Sequence, residues 1–161
     1  MSRIGGLVYR DPTRPVEPGR LSLGLLVDPG AGHGARIALP GALLATDGEQ
    51  AACAQWDGAA AAVDLDLTNL DEIRGSTEAE PTIRVLEDGY RRHGARFLTA
   101  LRGAFALALW WPRSRRLVLA ADRFGIRRLY YATTPAGIAF GSRVSVPLTL
   151  LRTMSAVDPE A

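Results

Sequence analysis

Residues 101–142, LRGAFALALWWPRSRRLVLAADRFGIRRLYYATTPAGIAFGS, decide the fold. Four apolar runs lie in this stretch, at 105–111, 117–121, 129–132 and 138–140. They are separated by Pro112-Arg113-Ser114, Arg123-Phe124-Gly125 and Pro135-Ala136-Gly137, all of which carry turn chemistry. Short apolar runs rich in aromatic and β-branched residues at this spacing predict consecutive antiparallel strands. The run 105–111 is apolar without alternation, so that strand is expected to be buried on both faces.

Working outward, Pro81 opens the one long helix, proline being well tolerated in a first turn. Ile83, Leu86 and Tyr90 share one face of it; Arg84, Glu87, Asp88, Arg91 and Arg92 lie around the other. Gly94 closes it, and Phe97-Leu98 lead into the main strands. Before it, 59–67 reads as a strand. A short helix follows, with Asn69 as N-cap, Glu72 completing a capping box and Gly75 at the end. Earlier still, 4–9, 21–27, 37–39 and 42–45 read as strands, with room for another between Gly48 and Trp56. Residues 11–20, DPTRPVEPGR, hold three prolines and form a loop. Downstream, 143–154 is helical in pattern, with Pro147 limiting or kinking it.

Bulk properties exclude several classes of function. A chain of 161 residues, 47% of them hydrophobic, can bury one core and is expected to form one domain. No apolar run is long enough to span a membrane, and the first residues lack the apolar core of a signal peptide, so a cytoplasmic protein is expected. The lone Cys53 excludes an internal disulfide and a cysteine-cluster metal site, and it reads as a small core hydrophobe. All 19 basic residues are Arg, so a Schiff-base lysine and the lysine of a phosphate-binding loop are both impossible. A net charge of +2 is too small to argue for nucleic acid. Arg113-x-Arg115-Arg116 then reads as a solvated turn. The Gly-rich segment 31–36 lacks the strand-turn-helix setting of a dinucleotide fingerprint, which makes His33 a loop residue rather than a base. Trp110-Trp111 reads as core and interface area.

One pattern in the opening stretch is more specific. Leu101-x-Gly103-x-Phe105-Ala106-x-Ala108-x-Trp110 is followed by Leu117-x-Leu119-Ala120-x-Asp122-Arg123-Phe124-Gly125-Ile126-Arg127, then Leu129-Tyr130-Tyr131, then Phe140-x-Ser142. This resembles the amino-terminal, class II glutamine amidotransferase domain of asparagine synthetases, which has the N-terminal-nucleophile hydrolase fold. Ala121 and Arg128 depart from the family pattern, where Arg and Pro are usual. The resemblance implies an α+β fold, a sandwich of two mostly antiparallel sheets flanked by helices. Asp122, Arg123 and Gly125 read as a structural turn within it, holding a loop by charge-assisted hydrogen bonds.

The resemblance also says where the chemistry belongs. The family's nucleophile is a Cys exposed when the initiator Met is removed, its own α-amine serving as base. Ser2 occupies that position here, followed by Arg3 in place of a small Gly. The family's oxyanion hole is an Asn-Gly pair. Its counterpart in 63–69 is Asp64-Leu65, and an ionised carboxylate cannot donate to an oxyanion. Glutamine's α-amino and α-carboxylate groups need an Arg and an Asp. No Arg lies between Arg36 and Arg74, and the Asp position falls at Thr82, with Glu80 a loose substitute.

These departures imply a degenerate domain without glutaminase activity, as in β-lactam synthetases and lasso-peptide cyclases, which close rings with the substrate's own amine. Residues 1–154 would be the amidotransferase-like domain and 155–161 the start of a linker towards a synthetase domain. ATP and magnesium would bind only on that domain or a partner subunit, with no metal or cofactor in this chain. The resemblance also allows a homodimer. The alternative is an active glutaminase or amidase with Ser2 as nucleophile after removal of Met1.

Overall fold

The computed structural model describes residues 2–16, 34–56, 58–75 and 80–155. Strands β1 (Arg3–Tyr9), β2 (Ala35–Leu39), β3 (Ala42–Asp47), β4 (Ala51–Trp56) and β5 (Ala59–Leu67) come first. Helices α1 (Leu70–Arg74), α2 (Thr82–His93) and α3 (Ala95–Ala100) follow. Strands β6 (Gly103–Trp111), β7 (Arg116–Ala121), β8 (Tyr130–Thr134) and β9 (Gly137–Gly141) lead to helix α4 (Ser145–Ser155). The strand predicted at 21–27 and the loop residue His33 lie outside the described residues.

Two antiparallel sheets result, one ordered β2-β3-β1-β9-β8 and the other β4-β5-β6-β7. Alternation along each strand sorts the side chains into three cores. Ile4, Val8, Leu44 and Phe140 meet Ala60, Ala62, Ala106 and Ala108 between the sheets. Leu7 and Leu43 pack outward against Val146, Leu150 and Met154 of α4. Val63, Leu107 and Leu109 pack outward against Ile83, Leu86 and Tyr90 of α2. Helix, sheet, sheet and helix form four layers, the α+β sandwich that the resemblance implies. Strand β6 is central in its sheet and buried on both faces, as its unbroken apolar run requires.

Four local expectations change. The four runs of the opening stretch are not one meander: β6 and β7 pair in one sheet, β8 and β9 in the other. The chain changes sheets across residues 122–129, and an apolar run carries no record of which sheet it joins. Asn69 makes no side-chain cap on α1, so the capping box does not form. Its amide group instead donates to the Ala100 carbonyl at 2.9 Å and accepts the Arg102 N–H at 2.9 Å, tying α1 to the start of β6. Residues 95–100 form the extra helix α3, because Gly94 serves both helices: its N–H donates to the Tyr90 carbonyl and ends α2, and its carbonyl accepts the Phe97 N–H that begins α3. Pro147 stands in the first turn of α4, where its missing N–H leaves no helical bond unmade. Among the described residues no helix is long and apolar enough to cross a membrane.

Gly6 sits mid-strand in β1, between β3 and β9. A Cβ there would lie 2.3 Å from the Leu43 carbonyl oxygen and 2.7 Å from the Phe140 ring. Gly6→Ala is therefore expected to cost about 1–3 kcal/mol through overpacking. Urea unfolding reads this as a lowered midpoint, and an unchanged midpoint would contradict the packing of Phe140 on β1.

Candidate functional site

Both chain crossings between the sheets, at 48–50 and 122–129, meet at the end of the sandwich where β1 begins. Ser2 lies there, 7% exposed, its Oγ accepting the Gln50 N–H at 3.0 Å. The first crossing runs so close that a Cβ on Gly48 would stand 2.7 Å from Ser2 Cα, and Gly48 has φ +99. Only glycine fits both conditions. Ser142, the last residue of the sequence motif, fixes β1 from the other side. Its Oγ accepts the Ile4 N–H at 2.9 Å and its N–H donates to the Ile4 carbonyl at 2.9 Å. Arg3 pairs with Asp47 across β1 and β3 at 3.7 Å.

Asp64 lies on β5 opposite Ala51 of β4 and Ala106 of β6. It is 1% exposed and sits on the strand face of Ala60 and Ala62, between the sheets. Arg127 Nε lies 3.4 Å from its Oδ1, too poorly placed for a hydrogen bond, so both atoms are buried without one. Burial pushes the Asp64 carboxyl above the usual aspartate range, and the Arg127 charge draws it back only in part. Leu65, the other position at which the resemblance implies an oxyanion hole, donates its backbone N–H to the Gln50 carbonyl at 3.2 Å. Arg127 Nη2 also donates to Gln50 Oε1.

Gln50 thus touches Ser2, Leu65 and Arg127, and Arg127 touches Asp64. The structure brings Ser2, Asp64 and Leu65 into one network, and Gln50 and Arg127 are the two members that sequence reasoning missed. Arg127 stands in the quoted motif without a role attached, and Gln50 has no local pattern at all. Their contact spans 77 positions of the chain, which no window of sequence can show.

The motif turn sits beside this network. Asp122 is 6% exposed and its carboxylate accepts the N–H groups of Phe124 at 3.0 Å, Ile126 at 3.1 Å and Arg127 at 2.8 Å. Burial works against its charge, but the backbone donors led by Arg127 and Ile126 outweigh it and hold the carboxyl below the usual range. Gly125, at φ +64, donates its N–H to the Asp122 carbonyl at 3.1 Å. Arg123 is exposed and takes no part, while Phe124 and Ile126 stand 84% and 65% exposed.

A cleft of about 340 Å³ opens on the helix side of β4 and β5, lined by Gln50, Val63, Leu65 and Thr82 among others. Glu80 is not there; it lines a separate groove with Glu72, Arg74 and Arg84. Cys53 is half-buried against the inter-sheet core, and burial pushes its thiol up. Trp110 is buried between the sheets, whereas Trp111 stacks on Tyr90 at 5.6 Å and donates to Glu87 at 2.9 Å. Among the described residues no three His, Cys, Asp or Glu side chains gather to hold a metal. Chemically, the site offers a buried hydroxyl and a carboxylate–guanidinium pair.

The family described as glutamine amidotransferase domain matches residues 44–148. An asparagine synthetase (glutamine-hydrolyzing) of Mycobacterium tuberculosis is 43% identical over 63 residues, 39% of this chain and 10% of that protein. Amidase chry2 of Gibberella zeae is 38% identical over 63 residues, 38% of this chain and 9% of that protein. Amidase chyE of Penicillium rubens is 31% identical over 70 residues, 44% of this chain and 10% of that protein. The chain thus spans about a tenth of the length of the curated relatives it matches.

The Asp64–Arg127 pair makes a pH-dependent prediction. A carboxyl held above its unfolded value of about 3.9 favours the fold below that pH and counts against it as pH rises through the folded value. Arg127→Met leaves the Asp64 charge uncompensated, at a cost of about 3 kcal/mol near pH 7 that shrinks towards about pH 4. The double variant Asp64→Asn/Arg127→Met recovers most of the loss. Urea unfolding at the two pH values checks this, and a loss independent of pH would contradict it.

Proposed function

Because this chain belongs to the glutamine amidotransferase domain family, we propose that it is a catalytically degenerate member, without glutaminase activity. The observation that carries the reading is the state of the two oxyanion-hole positions. Asp64 presents a buried carboxylate paired with Arg127 where the family places a donor, and the Leu65 N–H is already taken by the Gln50 carbonyl. Losing one oxyanion donor costs on the order of 10²–10³ in rate, and a negative charge in its place opposes the developing oxyanion further. Ser2 compounds this, since a hydroxyl at neutral pH is a far weaker nucleophile than a thiol.

Such a domain serves as a scaffold that docks on an ATP-dependent, amide-forming synthetase domain, either later in the same chain or on a partner subunit. ATP and magnesium belong to that partner. The relatives' names and length support a larger, asparagine-synthetase-like setting. Phe124 and Ile126, exposed on the crossing loop whose backbone Asp122 holds rigidly, supply apolar surface at the site's own mouth for such a contact. A synthetase that closes a ring with the substrate's own amine needs no ammonia, which accounts for a retained but silent amidotransferase domain.

The test is glutamine hydrolysis by the purified protein, with mass spectrometry of the N-terminus on the same sample. No ammonia release is expected, whether or not Met1 is removed. Ser2→Cys alone is expected to stay silent, because Asp64 and Leu65 remain unable to donate. Ammonia release that disappears in Ser2→Ala would overturn the reading and establish Ser2 as a working nucleophile.

A further inference from the structure

We infer that the cleft beside Gln50 binds a short, uncharged aliphatic acyl compound. Its walls are the side chains of Ala52, Val63, Leu65, Leu67, Leu70 and Ile83, and no charged residue lines it among the described residues. Leu65, Leu67 and Leu70 are only half-buried, so aliphatic surface stands uncovered there. A volume of about 340 Å³ is at the small end of ligand pockets, suited to a compact molecule rather than a peptide segment.

Two polar residues reach the cleft, and they set the head group. The Thr82 Oγ1 accepts a hydrogen bond from Arg74, which leaves its O–H as a donor. Gln50 must turn its side-chain oxygen towards Arg127, because a guanidinium only donates. The Gln50 NH₂ group and the Thr82 O–H are then the donors on offer, and both match a carbonyl oxygen. Gln50 is also the lining residue that holds the Ser2 hydroxyl, so the cleft and the nucleophile position share a wall. An amino acid such as glutamine finds no counter-charge for its ammonium or carboxylate on these walls, and desolvating either without a partner is costly. An aliphatic chain with a neutral carbonyl head satisfies every group present.

The experiment is an NMR titration of the isotope-labelled protein with butanamide, pentanamide and hexanamide, with L-glutamine as the comparison. Saturable shifts are expected at the backbone amides of 63–67, 82 and 83. Affinity should rise about fourfold per added methylene, the equivalent of ~0.8 kcal/mol. Ala52→Trp, on the exposed rim, fills the cleft and should weaken hexanamide by about tenfold or more; Ala52→Leu serves if the larger residue disturbs folding. Equal affinity along the series, binding unaffected by the rim variants, or tighter binding of L-glutamine would each overturn the inference. So would absence of saturation, or the same shifts produced by concentrating the protein alone, which would make a second copy the occupant. The inference stands apart from the loss of glutaminase activity. Ammonia release without hexanamide binding, or the reverse outcome, tells the failure of one from the failure of the other.

Discussion

A sandwich of two sheets drawn from one chain must be crossed by that chain, and here both crossings are fixed by one buried carboxylate. Asp122 accepts three backbone N–H groups from the five residues that follow it, which folds 122–127 around its side chain. Those donors stabilise the charged form strongly enough to overcome burial, so the anchor stays ionised well below neutral pH. With its own N–H held, Arg127 sends its side chain across to Gln50 in the other crossing and to Asp64 beneath. The position of Ser2 follows in turn, because the Gln50 N–H holds its hydroxyl.

Most of the strands were legible in the sequence because each is a short apolar run punctuated by turn residues. The central strand 103–111 was legible in more detail, since a run apolar at every position fits only a strand covered on both faces. Which sheet a strand joins was not legible. Leu119 and Ala139 carry the same local pattern yet end in different sheets, and the difference lies in the connection at 122–129. Residue preference also misled at Asn69. Its side chain had a cap available on α1 and took two bonds to the 100–102 backbone instead, a better offer that exists only once α3 and β6 are in place.

The site divides the same way. Ser2, Asp64 and Leu65 are found by matching a family pattern, and the pattern also locates the turn at Asp122. Gln50 and Arg127 are not found, because nothing in a turn residue or in one of the three arginines of a loop announces a partner on a distant element. The physics that selects them is three-dimensional. A carboxylate enclosed between two sheets needs a counter-charge, and the second crossing is the element that can deliver one.

The Asp64–Arg127 pair shows how this end of the molecule can be ordered around residue 64 with no neutral donor there. Neither Asp64 Oδ1 nor Arg127 Nε completes a hydrogen bond, so the pair is an imperfect one. Buried pairs of this kind add little net stability compared with neutral residues of similar volume, whereas breaking one is expensive. What the pair contributes is position: it fixes the second crossing over β5, and Gln50 with it. A neutral donor at residue 64 would serve an oxyanion but would leave the guanidinium of Arg127 facing the inter-sheet core without a counter-charge. The two demands on residue 64 exclude one another. In this chain residue 64 meets the structural demand, paired with the arginine of the second crossing.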